Sequence, residues 1–144
     1  MTNATIAKFG YPATLIRDYA HWLVLLRPAQ PTLGALVIAA KSDVEAFGRL
    51  PVEAHAELAK VIADVEAALF SAMAYQKINY LMLMMVDPHV HFHCVPRYEG
   101  EREWRDLSIT DAGWPGVPAL GQAVTLSARQ IDGMSGWLKG HWPA

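Results

Sequence analysis

The 144-residue sequence lacks the features that mark several classes of protein. It has one cysteine, so it cannot form an internal disulfide, as is typical of a reducing compartment. Its net charge of −2 gives no electrostatic reason to expect binding to a nucleic-acid duplex. No apolar run approaches the roughly 20 residues of a membrane span, and the N-terminus has no signal-peptide pattern. We therefore expect a cytoplasmic protein with no membrane partner.

The segment 87–98 contains the most distinctive pattern in the sequence. Histidines alternate there with apolar residues, in the order His89-Val90-His91-Phe92-His93-Cys94. A period of two is that of a β-strand, so the imidazoles are predicted to project from one face and the apolar side chains from the other. Packing alone gives no reason to place three imidazoles on an open sheet face. The row therefore indicates a functional site.

Two kinds of chemistry use such a row. Imidazoles at i and i+2 on a strand can share a zinc ion, but the backbones of His89 and His93 would lie about 13 Å apart. Alternatively, the central imidazole attacks a phosphorus atom while its neighbours donate hydrogen bonds to phosphate oxygens. The second use fits better, so we expect neither a metal nor another cofactor. A mononuclear metal site on His89 and His91 stays an alternative.

Hydrophobic periodicity predicts an α+β fold with about five antiparallel strands, one long helix and one or two short helices. Residues 1–12 are predicted to form a loosely held arm. The long helix, 51–75, has one apolar face at a period of 3.6 residues, and Ser42 and Glu45 have the capping-box form that opens a short helix. The predicted elements are strands at 13–18, 21–26, 33–39, 78–86 and 89–98, and helices at 42–49, 51–75 and 127–139.

The residues from His89 to Val95 resemble the His-φ-His-φ-His-φ-φ signature of the histidine triad (HIT) family, in which φ is apolar. The Pro96-Arg97 pair that follows matches the Pro-Arg often found there. The resemblance extends over residues 14–98 in the order of the strands and the long helix. The chain resembles the diadenosine polyphosphate hydrolase-like branch of that family.

This resemblance implies a function and an assembly. In the family the middle histidine attacks the α-phosphate of a nucleotide conjugate, and water then hydrolyses the nucleotidyl-histidine. That role would fall on His91, with His89 and His93 as its catalytic neighbours. The implied partners are a nucleotide or dinucleotide substrate and a second copy of the chain, which together would form a continuous larger sheet. The implied activity is that of a phosphoanhydride or phosphoramidate hydrolase or a nucleotidyl transferase.

The sequence departs from the family pattern in three places. Ala35 follows Gly34 where family hydrolases commonly carry a fourth histidine, and Arg27 aligns with an Asn or Asp that holds the ribose. Residues 84–86, which include Met85, replace polar phosphate-binding residues. We therefore expect Arg27, Ala35 and Met85 to line the substrate site in an altered form. These changes also favour an alternative, a nucleotide-binding module with little or no turnover.

The chain reads as a single domain over residues 1–144, with its core at about 14–98. Residues 99–144 form an aromatic-rich loop followed by a C-terminal helix. Tryptophans without a periodic frame are often part of a flap over a pocket or of a subunit interface, and the sequence leaves both open for Trp114. Trp114 is accordingly a candidate substrate-binding residue.

Overall fold

The computed structural model describes residues 2–144 and gives three α-helices and nine strands within that range. This is the α+β architecture that the sequence predicts. The helices are α1 (Ala4–Lys8), α2 (Val52–Met73) and α3 (Ala128–His141). The strands are β1 (Leu15–Asp18), β2 (Trp22–Leu26), β3 (Ala29–Gln30), β4 (Leu36–Ala40), β5 (Lys77–Leu81), β6 (His91–Arg97), β7 (Glu101–Trp104), β8 (Leu107–Thr110) and β9 (Val124–Thr125).

Five strands form one antiparallel sheet in the order β1-β2-β4-β6-β5. β2 and β4 are apolar on both faces and buried along their whole length, as expected for the interior of a sheet. The register places Ala39 opposite His91 and Val37 opposite His93. This pairing puts the histidine row beside the most hydrophobic strand of the protein.

One face of the sheet is covered by α2 and α3. The predicted long helix is confirmed, and it ends at Ala74, which takes a left-handed conformation with φ of 47°. Its buried residues recur at helical spacing and pack on side chains from alternate positions of the strands. The C-terminal helix is also confirmed, with a complete capping box between Ser127 and Gln130. We call this side of the sheet the helical face.

The opposite side, which we call the histidine face, is covered by the short helix α1. The prediction of a loose arm at 1–12 is wrong for residues 4–8, and residue 1 lies outside the described part of the chain. The side chain of Asn3 accepts a hydrogen bond from the Ile6 N–H and donates to the carbonyl oxygen of Ala40 at 3.2 Å. Ile6 is fully buried against Leu23, Leu25, Val37 and Ala39. Burial of this apolar side chain fixes a helix that is too short to be stable alone.

The predicted short helix at 42–49 is wrong. Only a single 3-10 turn, Phe47–Arg49, forms in this region. The Ser42 hydroxyl accepts a hydrogen bond from the N–H of Val44, two residues on, at 3.2 Å. This local bond replaces the bond to the third residue that a capping box requires.

The strands next to the histidine row are shorter than predicted. β5 ends at Leu81 and β6 begins at His91, so the intervening residues form an irregular connection. Val90, just before β6, instead donates its N–H to the carbonyl of Val44 in the segment after β4. His89 therefore lies outside the strand that holds His91 and His93.

The aromatic tail contributes to the core. β7 and β8 form a hairpin within the predicted aromatic-rich loop, and Trp104 from this hairpin is buried near Trp137 of α3. Trp142 is also buried and donates its indole N–H to the hydroxyl of Tyr19 at 2.9 Å. Two of the tryptophans are thus packing residues of the helical face.

Of the helices within residues 2–144, none combines the length and apolarity needed to cross a membrane.

Candidate active site

His91 and His93 project side by side from β6 onto the histidine face. Their ring centroids are 5.1 Å apart and nearly perpendicular. Alternation along the strand sends Phe92 and Cys94 to the helical face, where Cys94 is fully buried and burial raises the pKa of its thiol. The strand thus separates a pair of imidazoles from an unreactive apolar row.

His91 has one ring nitrogen bound and one free. Its Nδ1 lies 2.7 Å from the carbonyl oxygen of His89, and because a carbonyl only accepts, Nδ1 carries the proton. In the neutral ring the lone pair is then on Nε2. This Nε2 is buried and has no hydrogen-bond partner within residues 2–144. Such a nitrogen has the lone pair that a nucleophile needs.

His89 contributes its backbone to this arrangement and turns its side chain elsewhere. Its carbonyl holds His91, as described, while its Nδ1 shares a 2.9 Å hydrogen bond with the hydroxyl of Thr5 in α1. The three imidazoles are therefore not a continuous row on one strand. His91 and His93 form the pair, and His89 connects that pair to α1.

Phe9, at the end of α1, covers both imidazoles. Its ring centroid is 5.8 Å from that of His91 and 5.6 Å from that of His93. His91 has no exposed surface at all. A ligand reaches its Nε2 only if a covering side chain moves, and the ring of Phe9 is one of those that lie beside it. Phe9 lies in the segment predicted as a loose arm, and nothing in the sequence relates residue 9 to residue 91.

His93 is bound by the guanidinium of Arg27. The Nε of Arg27 lies 3.3 Å from Nδ1 of His93, and one terminal nitrogen of Arg27 donates to the carbonyl of Ala29. Burial and the charge of Arg27 lower the pKa of His93 to about 4. Burial also lowers the pKa of Arg27, which stays charged because its usual pKa is above 12. The site therefore combines a cationic guanidinium with a neutral imidazole at neutral pH.

A cavity of about 490 Å³ adjoins His93 and Arg27. It matches the volume of small-molecule sites, and its walls are mostly apolar. Met85 and Val86 stand at its mouth with more than four-fifths of their surface exposed. At the rim, Lys8 and Asp87 form an ion pair at 2.6 Å. The lining residues are Lys8, Phe9, Arg27, Leu83, Met85, Val86, Asp87, His93 and Leu120.

Gln30 holds the backbone that carries Arg27, and it is not among the predicted site residues. Its side chain is fully buried, and its Nε2 donates to the carbonyls of Arg27 at 2.6 Å and Ala35 at 2.9 Å. Its Oε1 accepts from the N–H groups of Gly34 and Ala35. Gly34 has φ of 89°, which favours glycine. A buried amide in a Pro-rich turn is the only signal in the sequence that points to this role.

The remaining predicted site residues lie in different places. Ala35 is fully buried one residue before β4, where strand alternation directs its Cβ to the histidine face. Val37 pairs with His93, so Ala35, two residues before Val37, is a diagonal neighbour of His93 at roughly 7–8 Å between backbones. Trp114 is half-buried and lines a separate cavity with Asn79 and Arg97. The structure thus brings Arg27 and Met85 to the cavity and leaves Trp114 outside it.

Arg97 closes the other end of the histidine face with a buried ion pair. Its Nε and one terminal nitrogen donate to the two carboxylate oxygens of Asp111 at 2.7 and 3.1 Å. A second terminal nitrogen donates to Asn79, and the N–H of Tyr98 also donates to Asp111. Both charged side chains are less than 5 % exposed. The pair ties β6 to the segment after β8 and gives Arg97 a structural role.

The metal alternative concerns His89 and His91. Within residues 2–144, no three side chains of histidine, cysteine, aspartate or glutamate come together as a metal site. His89 and His91, the alternative ligand pair, each use Nδ1 in a hydrogen bond.

Comparison with known proteins gives the same fold and no match by sequence. No family model and no curated protein matches the chain. Among solved structures, a histidine triad protein from Sinorhizobium meliloti superposes with a TM-score of 0.76 at 20% identity, covering 98% of this chain and 96% of that one. One from Marinobacter aquaeolei gives 0.76 at 18% identity, covering 99% and 95%. A histidine triad protein from Bradyrhizobium japonicum gives 0.74 at 19% identity, covering 99% and 97%.

These likenesses define the class of fold: the chain has a HIT-like fold. They extend over nearly the whole length of the described protein, including the tail after β6. The similarity in sequence is below the level at which function follows from fold. The function must be argued from the site.

Proposed function

We propose that the protein is a nucleotide hydrolase or nucleotidyl transferase that acts through a nucleotidyl intermediate on His91. The observation that carries this proposal is the free Nε2 of His91, which holds the lone pair because Nδ1 donates to the His89 carbonyl. His93 stands beside it, with Arg27 as a cation in the adjoining cavity.

The reaction would proceed in two displacements. The Nε2 lone pair of His91 attacks the α-phosphorus, a P–N bond forms, and the bond to the leaving group breaks. The amine of a phosphoramidate, or the phosphate of a phosphoanhydride, departs with the bonding electron pair and takes a proton from solvent. Water, or another acceptor in a transferase, then attacks the phosphorus and breaks the P–N bond. His91 returns to its starting state.

The cavity supports a ligand with one anionic and one apolar part. Arg27 has no carboxylate among its hydrogen-bond partners in the described chain, so a phosphate oxygen would supply its counter-charge. Leu83, Met85 and Val86 offer an apolar wall of the kind that takes a flat base. A nucleotide has both parts.

The test is turnover of a fluorogenic adenosine phosphoramidate, followed by acid trapping and intact-mass spectrometry. We expect the protein to gain the mass of one nucleotidyl group, and the His91→Ala variant to gain nothing. Turnover by His91→Ala at the rate of the unmodified protein would contradict the assignment.

A nucleotide-binding module without efficient turnover is the second candidate. The fully covered Nε2 of His91, together with the absence of a fourth imidazole at Ala35, favours it. Calorimetric titration with a non-hydrolysable nucleotide separates the two candidates. Binding without any adduct in the trapping experiment would favour the module.

We also infer that two copies pair through β5. This strand is an edge of the sheet, since β6 is its only partner in the described chain. Exposed edges tend to pair, and an antiparallel pairing of two β5 strands would extend the sheet across both subunits. Light scattering at micromolar concentration should report twice the chain mass. A monomer under these conditions would contradict this pairing.

A further inference from the structure

The bond between Arg27 and His93 determines where the proton of His93 lies. A guanidinium has only donor groups, so Nδ1 of His93 must be the acceptor of the 3.3 Å bond. The single proton of the neutral imidazole is then on Nε2. The ring lines the cavity, so this N–H is a donor available to a ligand.

His91 has the opposite arrangement. Its Nδ1 is a donor to the His89 carbonyl, and its Nε2 carries the lone pair. Two adjacent imidazoles, 5.1 Å apart, are therefore held as different tautomers by two different partners. One partner is a backbone carbonyl that any residue could provide. The other is a side chain, which makes its contribution testable by substitution.

Most nearby charges, like the hydrogen bond from Arg27, oppose a second proton on His93. Arg27, His91 and Lys8 disfavour a second proton on His93, and Asp87 favours it, but burial has the largest effect. The imidazole consequently stays neutral at physiological pH. A neutral ring with a fixed proton is a hydrogen-bond donor, whereas an unfixed ring would divide its time between donating and accepting.

We propose that Arg27 is a positioning residue that fixes His93 as the tautomer with its proton on Nε2. In this form His93 donates to a ligand oxygen beside the nucleophilic nitrogen of His91. That this ligand oxygen is a phosphoryl oxygen of a nucleotide substrate rests on the proposed function. The location of the proton does not depend on it.

The experiment records two-bond ¹H–¹⁵N correlations of the imidazoles in the full-length ¹⁵N-labelled protein at neutral pH. His93→Gln identifies the signals of His93. We expect the unmodified protein to show His93 protonated on Nε2 and His91 protonated on Nδ1. A His93 ring protonated on Nδ1 would overturn the proposal, whether or not the protein has activity.

Two substitutions separate the hydrogen bond from the charge. Arg27→Met removes both, so His93 should populate both tautomers and titrate nearer the usual pKa of about 6.5. Arg27→Lys keeps a charge but lacks the Nε–H. His93 should therefore lose its single tautomer, while its titration midpoint should rise less than in Arg27→Met. Arg49→Met, on the exposed 3-10 turn, removes a distant positive charge and should change neither. Unchanged His93 signals in both Arg27 variants would overturn the proposal.

Kinetics then distinguish positioning from substrate binding. If His93 is misplaced, Arg27→Met should lower kcat by about tenfold, the value of one hydrogen bond in the transition state. A higher KM with unchanged kcat would mean that Arg27 only binds substrate, and would overturn the positioning role. A protein without turnover would contradict the proposed function and leave the tautomer result intact.

Discussion

The two faces of the central sheet are covered very differently. On the helical face, the 22-residue α2 and the 14-residue α3 lie over a large apolar core. On the histidine face, the five-residue α1 covers a small cluster around Ile6. A thin cover is displaced at lower cost than a packed core, because less apolar surface must be exposed. The paired imidazoles of His91 and His93 are on the more thinly covered side.

β6 contributes to both faces, and its residues differ accordingly. Cys94, directed to the helical face, is buried among apolar side chains that keep its thiol protonated. His91 and His93, directed to the other face, meet polar partners from 2 and 66 residues away in the chain. Alternation along one strand therefore places a core residue on one face and the candidate site residues on the other.

The sharpest test of this separation compares His91→Ala with Cys94→Ala. Loss of the nucleophile should reduce turnover by several powers of ten, because the covalent route is lost. Cys94→Ala should leave a small cavity and cost about 1–2 kcal/mol of stability, with turnover largely kept. Steady-state rates and chemical denaturation of both variants measure the two effects. Equal loss of activity in both would break the comparison.

The buried ion pair gives the next largest effect. Asp111→Ala leaves the Arg97 charge buried without its partner, which typically costs about 3–5 kcal/mol. Lys8→Met breaks the exposed pair with Asp87 on the same face and should cost at most about 1 kcal/mol. Urea denaturation of both variants tests this contrast. A cost below 1 kcal/mol for Asp111→Ala would show that Arg97 finds another partner.

Two adjacent leucines compare the packing of the faces directly. Leu25 and Leu26 are both fully buried, Leu25 under α1 and Leu26 in the core of the helical face. Leu26→Ala should cost about 2–5 kcal/mol, because α2 and α3 prevent collapse into the cavity. Leu25→Ala should cost about 1–2 kcal/mol less, since α1 can settle into the gap. Thermal unfolding would contradict the comparison if Leu25→Ala proved the more destabilising change.

The last comparison concerns Ala35, the position without an imidazole. Ala35→His would place a further ring on the histidine face, near His93. One added hydrogen bond to a charged group is worth roughly 1.5–3 kcal/mol, or about ten- to a hundredfold in rate. The melting temperature must be measured alongside, because overpacking a buried alanine costs about 1–3 kcal/mol. A stable variant with an unchanged rate would direct attention to residues 84–86.

The parts of the site that could be predicted are those that depend on local periodicity. The alternation of residues 89–94 was sufficient to place His91 and His93 on one face, and the spacing in 51–75 was sufficient to predict α2. The prediction was wrong where two local patterns compete. At Ser42, the side chain bonds two residues ahead and no helix forms.

The partners of the site residues could not be predicted in the same way. Nothing in the sequence relates Phe9 to His91 or Gln30 to the histidine row. The family resemblance places Arg27 at the substrate site but does not indicate its bond to His93. These contacts join residues that are far apart in the chain, and they arise only when strand register and the packing of α1 are set. The sequence likewise does not indicate that Asp111 neutralises Arg97.

The sequence by itself determined which side chains share a face, because the periods of strands and helices are properties of the backbone. It therefore determined the sheet, the long helix, and the pair of imidazoles opposite Cys94. Only the tertiary structure decided which hydrogen bonds those imidazoles make. The state of each ring depends on a single hydrogen-bond partner: the His89 carbonyl sets the lone pair of His91, and Arg27 sets the proton of His93.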